Sequence, residues 1–161
     1  MQDSQMQAQQ MVMAWAGKIP EESTLVLQER ISKATDTNKV ASLSMLPLKT
    51  PVVGLVLGLF FGGFGADRFY KGNIGLGVLK LLGISAMWIF AFIFGAMTTF
   101  AGAAVGDEEG AAVGAAMGFG LMGIVWLIVA VWVIADLFLV WKGIKKDNFD
   151  KINNQLLMLG L

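Results

Sequence analysis

The sequence has no cysteine and no histidine among its 161 residues. The absence of cysteine excludes disulfides and thiolate nucleophiles, and the absence of both residue types excludes the usual zinc and soft-metal sites. The imidazole that most often serves as a general base is also missing. We therefore expect a protein that is not an enzyme, with no catalytic residue, no metal site and no cofactor.

Charge is also scarce: 15% of the residues are charged, against about 25% in a typical soluble domain. Three stretches carry no charge at all, at residues 50–66, 81–106 and 110–135. A helix needs about 20 apolar residues to cross a bilayer, with about 17 as the lower limit. The second and third stretches exceed this length and the first just reaches it. We predict an all-α integral membrane protein with three spans in the lipid bilayer, and the net charge of zero indicates no nucleic-acid partner.

The composition divides the chain into three parts. We predict an amino-terminal helical region at residues 1–48, a membrane domain at 49–146 and a short carboxy-terminal tail at 147–161. The membrane domain has a short first span and a long hairpin made of the second and third spans. The predicted spans run from Val52 to about Ala66, from about Gly75 to about Ala104, and from about Ala111 to about Trp141.

Short helices are predicted in the amino-terminal region from their start and stop signals. Gly17 ends the first helix, and Pro20 followed by acidic residues starts the second. Asp36 is placed to cap a third helix. We expect these helices to cover one end of the membrane domain, and a protein partner bound to them is the alternative.

Glycines recur every four residues in two places, which puts them on one face of a helix. The first series is Gly54, Gly58 and Gly62, and the second is Gly102, Gly106, Gly110, Gly114 and Gly118. Three acids interrupt the second series, namely Asp107, Glu108 and Glu109. Charges in mid-membrane cost about 2.5 to 3.5 kcal/mol each, so we predict a hairpin with a solvated acidic turn. The two arms present their glycines to each other or to a neighbouring subunit, which favours a homo-oligomer.

Residues 62–82 read GGFGADRFYKGNIGLGVLKLL. This stretch resembles the signature of the TM-2 domain family, a short glycine-containing span followed by Asp-Arg-Phe, Tyr and Gly-x-x-x-Leu-Leu. The matching motif residues are Asp67, Arg68, Phe69 and Tyr70. The family's Trp-x-x-x-Asp pattern is matched by Trp132 and Asp136. The resemblance covers residues 20–82 and 126–155, and the amino-terminal part is similar to some bacterial members. A Gly/Ala-rich hairpin is inserted near residues 84–125.

The resemblance and the predicted topology together imply one specific contact. With three spans, the Asp-Arg-Phe loop and the carboxy-terminal tail lie on the same side of the membrane. A lone carboxylate inside a span needs a partner. Arg68 is the nearest candidate for Asp136, and Lys80, Lys71 and Lys142 rank behind it. We predict that this contact staples the loop to the third span, with a binding or gating role as the alternative. Phe69 and Tyr70 are expected at the membrane interface.

Two functions remain open from the sequence. The first is a self-associating scaffold or regulator in a bacterial inner or plasma membrane. The second is a pore or channel built from the glycine-rich hairpin, with the acidic turn attracting cations at its mouth. The excess of lysine and arginine predicts that the Asp-Arg-Phe loop and the tail face the cytoplasm. Three spans would then place residues 1–48 outside.

Overall fold

A computed structural model of the chain describes residues 2–34, 36–104 and 108–161. Within these ranges the regular structure is helical and contains no strand. The helices are α1 (Gln2–Ala14), α2 (Thr24–Ser32), α3 (Thr37–Leu43), α4 (Pro51–Phe61), α5 (Ala66–Lys71), α6 (Ile74–Ala104) and α7 (Glu108–Met158), with 3-10 turns at Glu21–Ser23 and Gly62–Phe64. The chain forms two compact units. Unit 1 combines Met1–Val56 with Phe138–Leu161, and unit 2 is Leu57–Leu137.

The boundaries of the short helices of unit 1 follow the predicted signals. Gly17 lies three residues beyond α1 with a φ of 76°, a conformation that favours glycine. Pro20 precedes the 3-10 turn that leads into α2. The Asp36 carboxylate accepts hydrogen bonds from the backbone N–H groups of Asn38 and Lys39, at 3.0 and 3.3 Å. The predicted third helix and its cap are therefore confirmed.

Unit 1 has one apolar core, and both ends of the chain build it. Ile152 and Leu156, on the last turns of α7, are fully buried together with Leu27 and Ile31 of α2. The remaining buried members come from α1, α3 and their connections: Ala8, Met11, Val12, Trp15, Ile19, Ala34, Val40 and Leu43. Residues 147–161, which the sequence predicts as a separate tail, thus continue α7 as far as Met158 and supply part of this core.

Polar side chains join the same segments of unit 1. Asn148, 1% exposed, donates to the carbonyls of Lys18 and Lys49 at 2.8 and 2.7 Å and accepts from the Lys49 N–H at 3.0 Å. Arg30 donates to Asn153 Oδ1 at 2.6 Å and to the Leu161 carbonyl at 2.7 Å. Such bonds satisfy polar groups that burial would otherwise leave unpaired.

In unit 2, α6 and α7 run antiparallel and pack through small residues. A Cβ on Gly114 would lie 2.7 Å from the Thr98 carbonyl oxygen, and one on Gly118 would lie 2.6 Å from Thr98 Oγ1. Further along, the rings of Trp88 and Trp126 meet edge to face at 4.9 Å. Two helices can approach this closely only where side chains are absent. The two arms of the predicted hairpin therefore present these glycines to each other within one chain.

Within the described ranges, two helices are long and apolar enough to cross a membrane, one over Ile74–Ala104 and the other over Ala112–Met158. Only 11% of the most apolar stretch of each is buried within the protein, so most of their apolar side chains face outward, as in lipid. The first predicted span is shorter than the other two, and a third crossing stays a prediction. Helix α4 has 11 residues, about 16 Å of helix, whereas a bilayer core is about 30 Å thick. The 3-10 turn after Phe61 and the left-handed Gly65 end it early.

Candidate functional site

The Asp-Arg-Phe segment forms the six-residue helix α5, which two left-handed glycines delimit. Gly65, with a φ of 73°, precedes it and Gly72, with a φ of 102°, ends it. A Cβ on Gly65 would lie 2.6 Å from the carbonyl oxygen of Gly77, and one on Gly77 would lie 2.7 Å from Phe69 Cε1. The glycines of this motif thus allow α5 to lie against the first turn of α6. This close packing fixes where Asp67 and Arg68 point.

Four charged side chains of unit 2 meet where α5, α6 and α7 come together. Arg68 forms an ion pair with Asp136 through both carboxylate oxygens, with Nε 3.2 Å from Oδ2. Lys80 Nζ lies 2.6 Å from Asp136 Oδ2 and 3.0 Å from Asp67 Oδ2. The contact predicted between Arg68 and Asp136 is therefore present in the structure. Two acids and two bases make the cluster neutral.

The cluster is buried to different extents. Asp67 is 0% exposed, Lys80 3% and Asp136 4%, whereas the Arg68 side chain is 13% exposed. Unpaired charges at such depth would be strongly unfavourable, and mutual pairing offsets the loss of water. Arg68 lies on α5, before the two long helices. Its hydrogen bond to Asp136 raises the pKa of its guanidinium above the ordinary value.

Sequence reasoning missed the central role of Lys80 and the burial of Asp67. From the sequence, Lys80 ranks behind Arg68 as a partner for Asp136, and Asp67 has no predicted partner in the loop. Lys80 lies one turn after Gly77, the glycine that receives Phe69. A lone lysine on the small-residue face of an apolar helix was the available signal. Lys80 Nζ also lies 5.9 Å from the ring centroid of Trp132, within cation–π range.

The other predicted residues have separate locations. Phe69 is 39% exposed with its ring edge near Gly77, and Tyr70 is half-buried. Gly54, Gly58 and Gly62 are all buried; the first two lie on α4, and Gly62 begins the 3-10 turn that follows it. Gly102 and Gly118 are buried and Gly110 and Gly114 half-buried. In the acidic turn, Gly106 and Asp107 lie outside the described residues, as does the side chain of Glu108, whereas Glu109 is exposed.

The polar groups of the cluster are satisfied by one another. Throughout the described ranges, no buried side-chain nitrogen or oxygen lacks a hydrogen-bond partner. No group of three or more potential metal ligands occurs in the same ranges. The ion pairs use the carboxylates and cations on each other, so none is left uncompensated for a ligand. The cluster ties α5 to both long helices of unit 2.

The comparisons with known proteins agree with the motif. The family model of the TM2 domain matches residues 47–97, which include Asp67, Arg68 and Lys80 but end before Asp136. Curated proteins and solved structures give no significant match. The insertion and the bacterial features stay predictions, because the match includes neither the acidic turn nor the first 46 residues. The match and the two outward-facing apolar helices indicate a membrane protein, and residues 47–97 of this chain match the TM2 domain, the family that the sequence resembles.

Proposed function

We propose that this chain is a non-enzymatic, multi-pass membrane protein that self-associates and acts as a scaffold or regulator in a bacterial inner or plasma membrane. We assign this role to unit 1, because it is a folded helical unit with an open groove between α1 and α2. The proposal has two parts, the topology that displays unit 1 and the face through which it associates.

Two crossings fit the core of unit 1 better than three. An odd number of crossings would place residues 1–48 and the last turns of α7 on opposite sides of the membrane. Leu27 and Ile31 share a core with Ile152 and Leu156, so both segments need to lie on one side. With α6 and the apolar part of α7 as the two crossings, this condition is met.

Helix α4 then enters and leaves on the same side. In unit 2, a Cβ on Gly58 would meet Leu137 and Asp67, and one on Gly62 would lie 3.5 Å from Val133 Cγ1. Leu137 and Val133 are one helical turn apart on α7. The chain therefore advances by one turn along α7 from Gly58 to Gly62, and it comes back to the level of Gly58 at Asp67. Apolar helices of 10 to 14 residues are typical of such re-entrant segments.

The distribution of lysines favours the cytoplasm for this side. Lys142, Lys145, Lys146 and Lys151 follow the apolar part of α7, whereas the acidic turn at the other end of the hairpin has no lysine or arginine. Basic residues near span ends favour the cytoplasmic side. In this topology the amino-terminal helices stay in the cytoplasm and need not be translocated.

Single-cysteine variants test the topology, because the native chain has no cysteine. Gln10, Glu109 and Asn154 are all exposed and are replaced one at a time. In inverted membrane vesicles, an impermeant maleimide should label positions 10 and 154 and leave position 109 unlabelled. Matched labelling of positions 10 and 109, opposite to 154, would restore the three-span topology and end this proposal.

The uncovered face of unit 1 lies between α1 and α2. It is a groove of about 530 Å³ lined by Gln5, Met6, Gln9, Leu25, Gln28, Glu29 and Ser32. Leu25 is 76% exposed and Met6 54%. The lone acid, Glu29, is paired with Lys33 at 2.6 Å, so two such faces would not repel each other.

A second copy of this chain is the occupant that these side chains favour. Symmetric dimers bring the same patch of both subunits together. Each glutamine amide carries both donors and an acceptor, so glutamines of one copy can bond those of the other. Leu25 and Met6 would lose their contact with water at the same time.

Two neighbouring substitutions test this face. Leu25→Glu should convert the detergent-solubilised protein to monomers, measured by light scattering coupled to gel filtration, because it buries a charge in the contact. Val26→Glu is the matched control, since Val26 is 53% exposed but does not line the groove. An equal effect of both variants, or of neither, would contradict association through this face.

The glycine-rich hairpin packs part of its small-residue face within one chain. Gly114 and Gly118 contact Thr98 of the same chain. The hydroxyls of Thr98 and Thr99 donate to the Gly95 carbonyl at 3.0 and 2.9 Å and are thus satisfied within α6. In the part of the chain that the structure describes, no observation favours a pore.

A further inference from the structure

A groove of mixed charge lies in unit 1, immediately after the apolar part of α7. Its volume is about 460 Å³, and its two walls carry opposite signs. Pro20, Glu21 and Glu22 form one wall, and Lys142, Lys145 and Lys146 form the other. The lysines are three and four residues apart, which places them on one face of α7.

The two walls do not neutralise each other. Among the described residues, neither glutamate takes part in an ion pair, and neither do Lys142 and Lys146. Lys145 Nζ instead lies 5.6 Å from the ring centroid of Trp141. The groove is therefore wide enough for a group that carries both charges to lie between the walls.

The groove also lies at a defined depth relative to the membrane. This depth rests on the topology of the proposed function. Trp141 is the last residue of the apolar part of α7 and directly precedes Lys142. Tryptophan is typical of the interface between membrane and water, at the level of the lipid headgroups. Lysines just beyond a span on the cytoplasmic side attract lipid phosphates.

The charge pattern selects among headgroups. A phosphate alone would satisfy the lysines and be repelled by Glu21 and Glu22. A headgroup with both a phosphate and a primary ammonium satisfies both walls, because the ammonium supplies N–H donors to the carboxylates. A quaternary ammonium has the same charge but no N–H donor.

We infer that this groove binds the headgroup of phosphatidylethanolamine, with the phosphate on the lysine wall and the ammonium on the glutamate wall. Bound lipid would hold the amino-terminal helices and α7 of unit 1 at the membrane surface. Its ligand is a lipid headgroup, whereas the α1–α2 groove is a contact between copies of the chain.

Native mass spectrometry of the full-length protein in detergent tests this inference. The protein is incubated with equal amounts of dioleoyl phosphatidylethanolamine, phosphatidylcholine and phosphatidylglycerol. We expect about two- to ten-fold more bound phosphatidylethanolamine than phosphatidylcholine, the range of one net hydrogen bond. Glu21→Gln with Glu22→Gln should bring this ratio close to one and leave phosphatidylglycerol bound. Replacing the three lysines with glutamine should abolish the binding of phosphatidylethanolamine and of phosphatidylglycerol.

Lys33→Gln and Asp150→Asn are matched controls, since both residues are exposed and neither lines the groove. Both controls should keep the wild-type ratio. Equal binding of all three lipids, or a preference that survives the loss of both glutamates, would overturn the inference. Failure of the proposed function would show instead in the maleimide labelling or the oligomeric state, which are measured separately.

Discussion

The two units of this chain distribute polarity in opposite ways. Unit 1 buries leucine and isoleucine, as Leu27, Ile152 and Leu156 show, and its charged side chains lie near the surface. Unit 2 buries Asp67 and Lys80, and its long helices expose large apolar side chains such as Phe92, which is 78% exposed. Because hydrophobic burial is driven by water, unit 1 has the polarity of a protein in water. Unit 2 has the polarity of helices that pack in lipid through small residues and internal ion pairs.

The buried charges of unit 2 give the most severe test of this difference in polarity between the units. Lys80→Met leaves Asp67 without its cation, and breaking a buried ion pair in this way costs about 3 to 5 kcal/mol. We expect a large loss of unfolding free energy in detergent. Circular dichroism during titration with a denaturing detergent measures this loss.

A second variant shows that charge balance, and not the lysine itself, is responsible. Lys80→Met combined with Asp67→Asn removes one acid and one base, and Asp136 keeps its pair with Arg68. The double variant should recover most of the stability. If it is as unstable as the single variant, the ion-pair interpretation of this cluster fails.

Apolar truncation should have its main effect in unit 1. Leu156 is 0% exposed and its neighbour Leu157 is 60% exposed. Leu156→Ala should destabilise unit 1 by about 2 to 5 kcal/mol, because it removes contacts and leaves a cavity. Leu157→Ala should change stability by no more than about 0.5 kcal/mol. Chemical unfolding of the two variants side by side measures the difference, and equal losses would mean that the end of α7 does not pack into the core.

A pair of glycine substitutions should have effects of opposite sign on the hairpin of unit 2. A Cβ on Gly114 would lie 2.7 Å from the backbone oxygen of Thr98, whereas one on Gly120 would have no atom within 4 Å. Gly114→Ala should therefore destabilise by about 1 to 3 kcal/mol. Gly120→Ala should stabilise by up to about 1 kcal/mol through helix propensity. Thermal unfolding in detergent compares them, and stabilisation by Gly114→Ala would show that α6 and α7 do not pack closely there.

Much of this architecture could be predicted from local signals. The absence of charges predicts α6 and α7, and Gly17, Pro20 and Asp36 predict the ends of the short helices. The pairing of Arg68 with Asp136 is predicted because a lone acid in a span needs a base. The features that local signals do not reveal depend on the rest of the chain. Residues 50–66 satisfy a composition test for a span, but the left-handed Gly65 ends α4 early. The burial of Ile152 and Leu156 against α2 depends on contacts more than 100 residues apart, which no pattern in one segment reveals.

The smallest effect is expected from the exposed charge pair of unit 1, the counterpart of the buried cluster in unit 2. The hydrogen bond from Lys33 lowers the pKa of Glu29 below its ordinary value of 4.5. A lowered pKa in the folded state means that the pair stabilises unit 1 above pH 4.5 and that this contribution is lost as the pH falls through the folded pKa. Glu29→Gln should slightly lower the unfolding midpoint at pH 7, and the difference from the wild type should disappear once the pH has fallen below the folded pKa, where the wild-type carboxyl is also neutral. The effect should weaken in high salt, because exposed pairs are screened. A large, salt-independent effect would mean that water does not reach this face of unit 1.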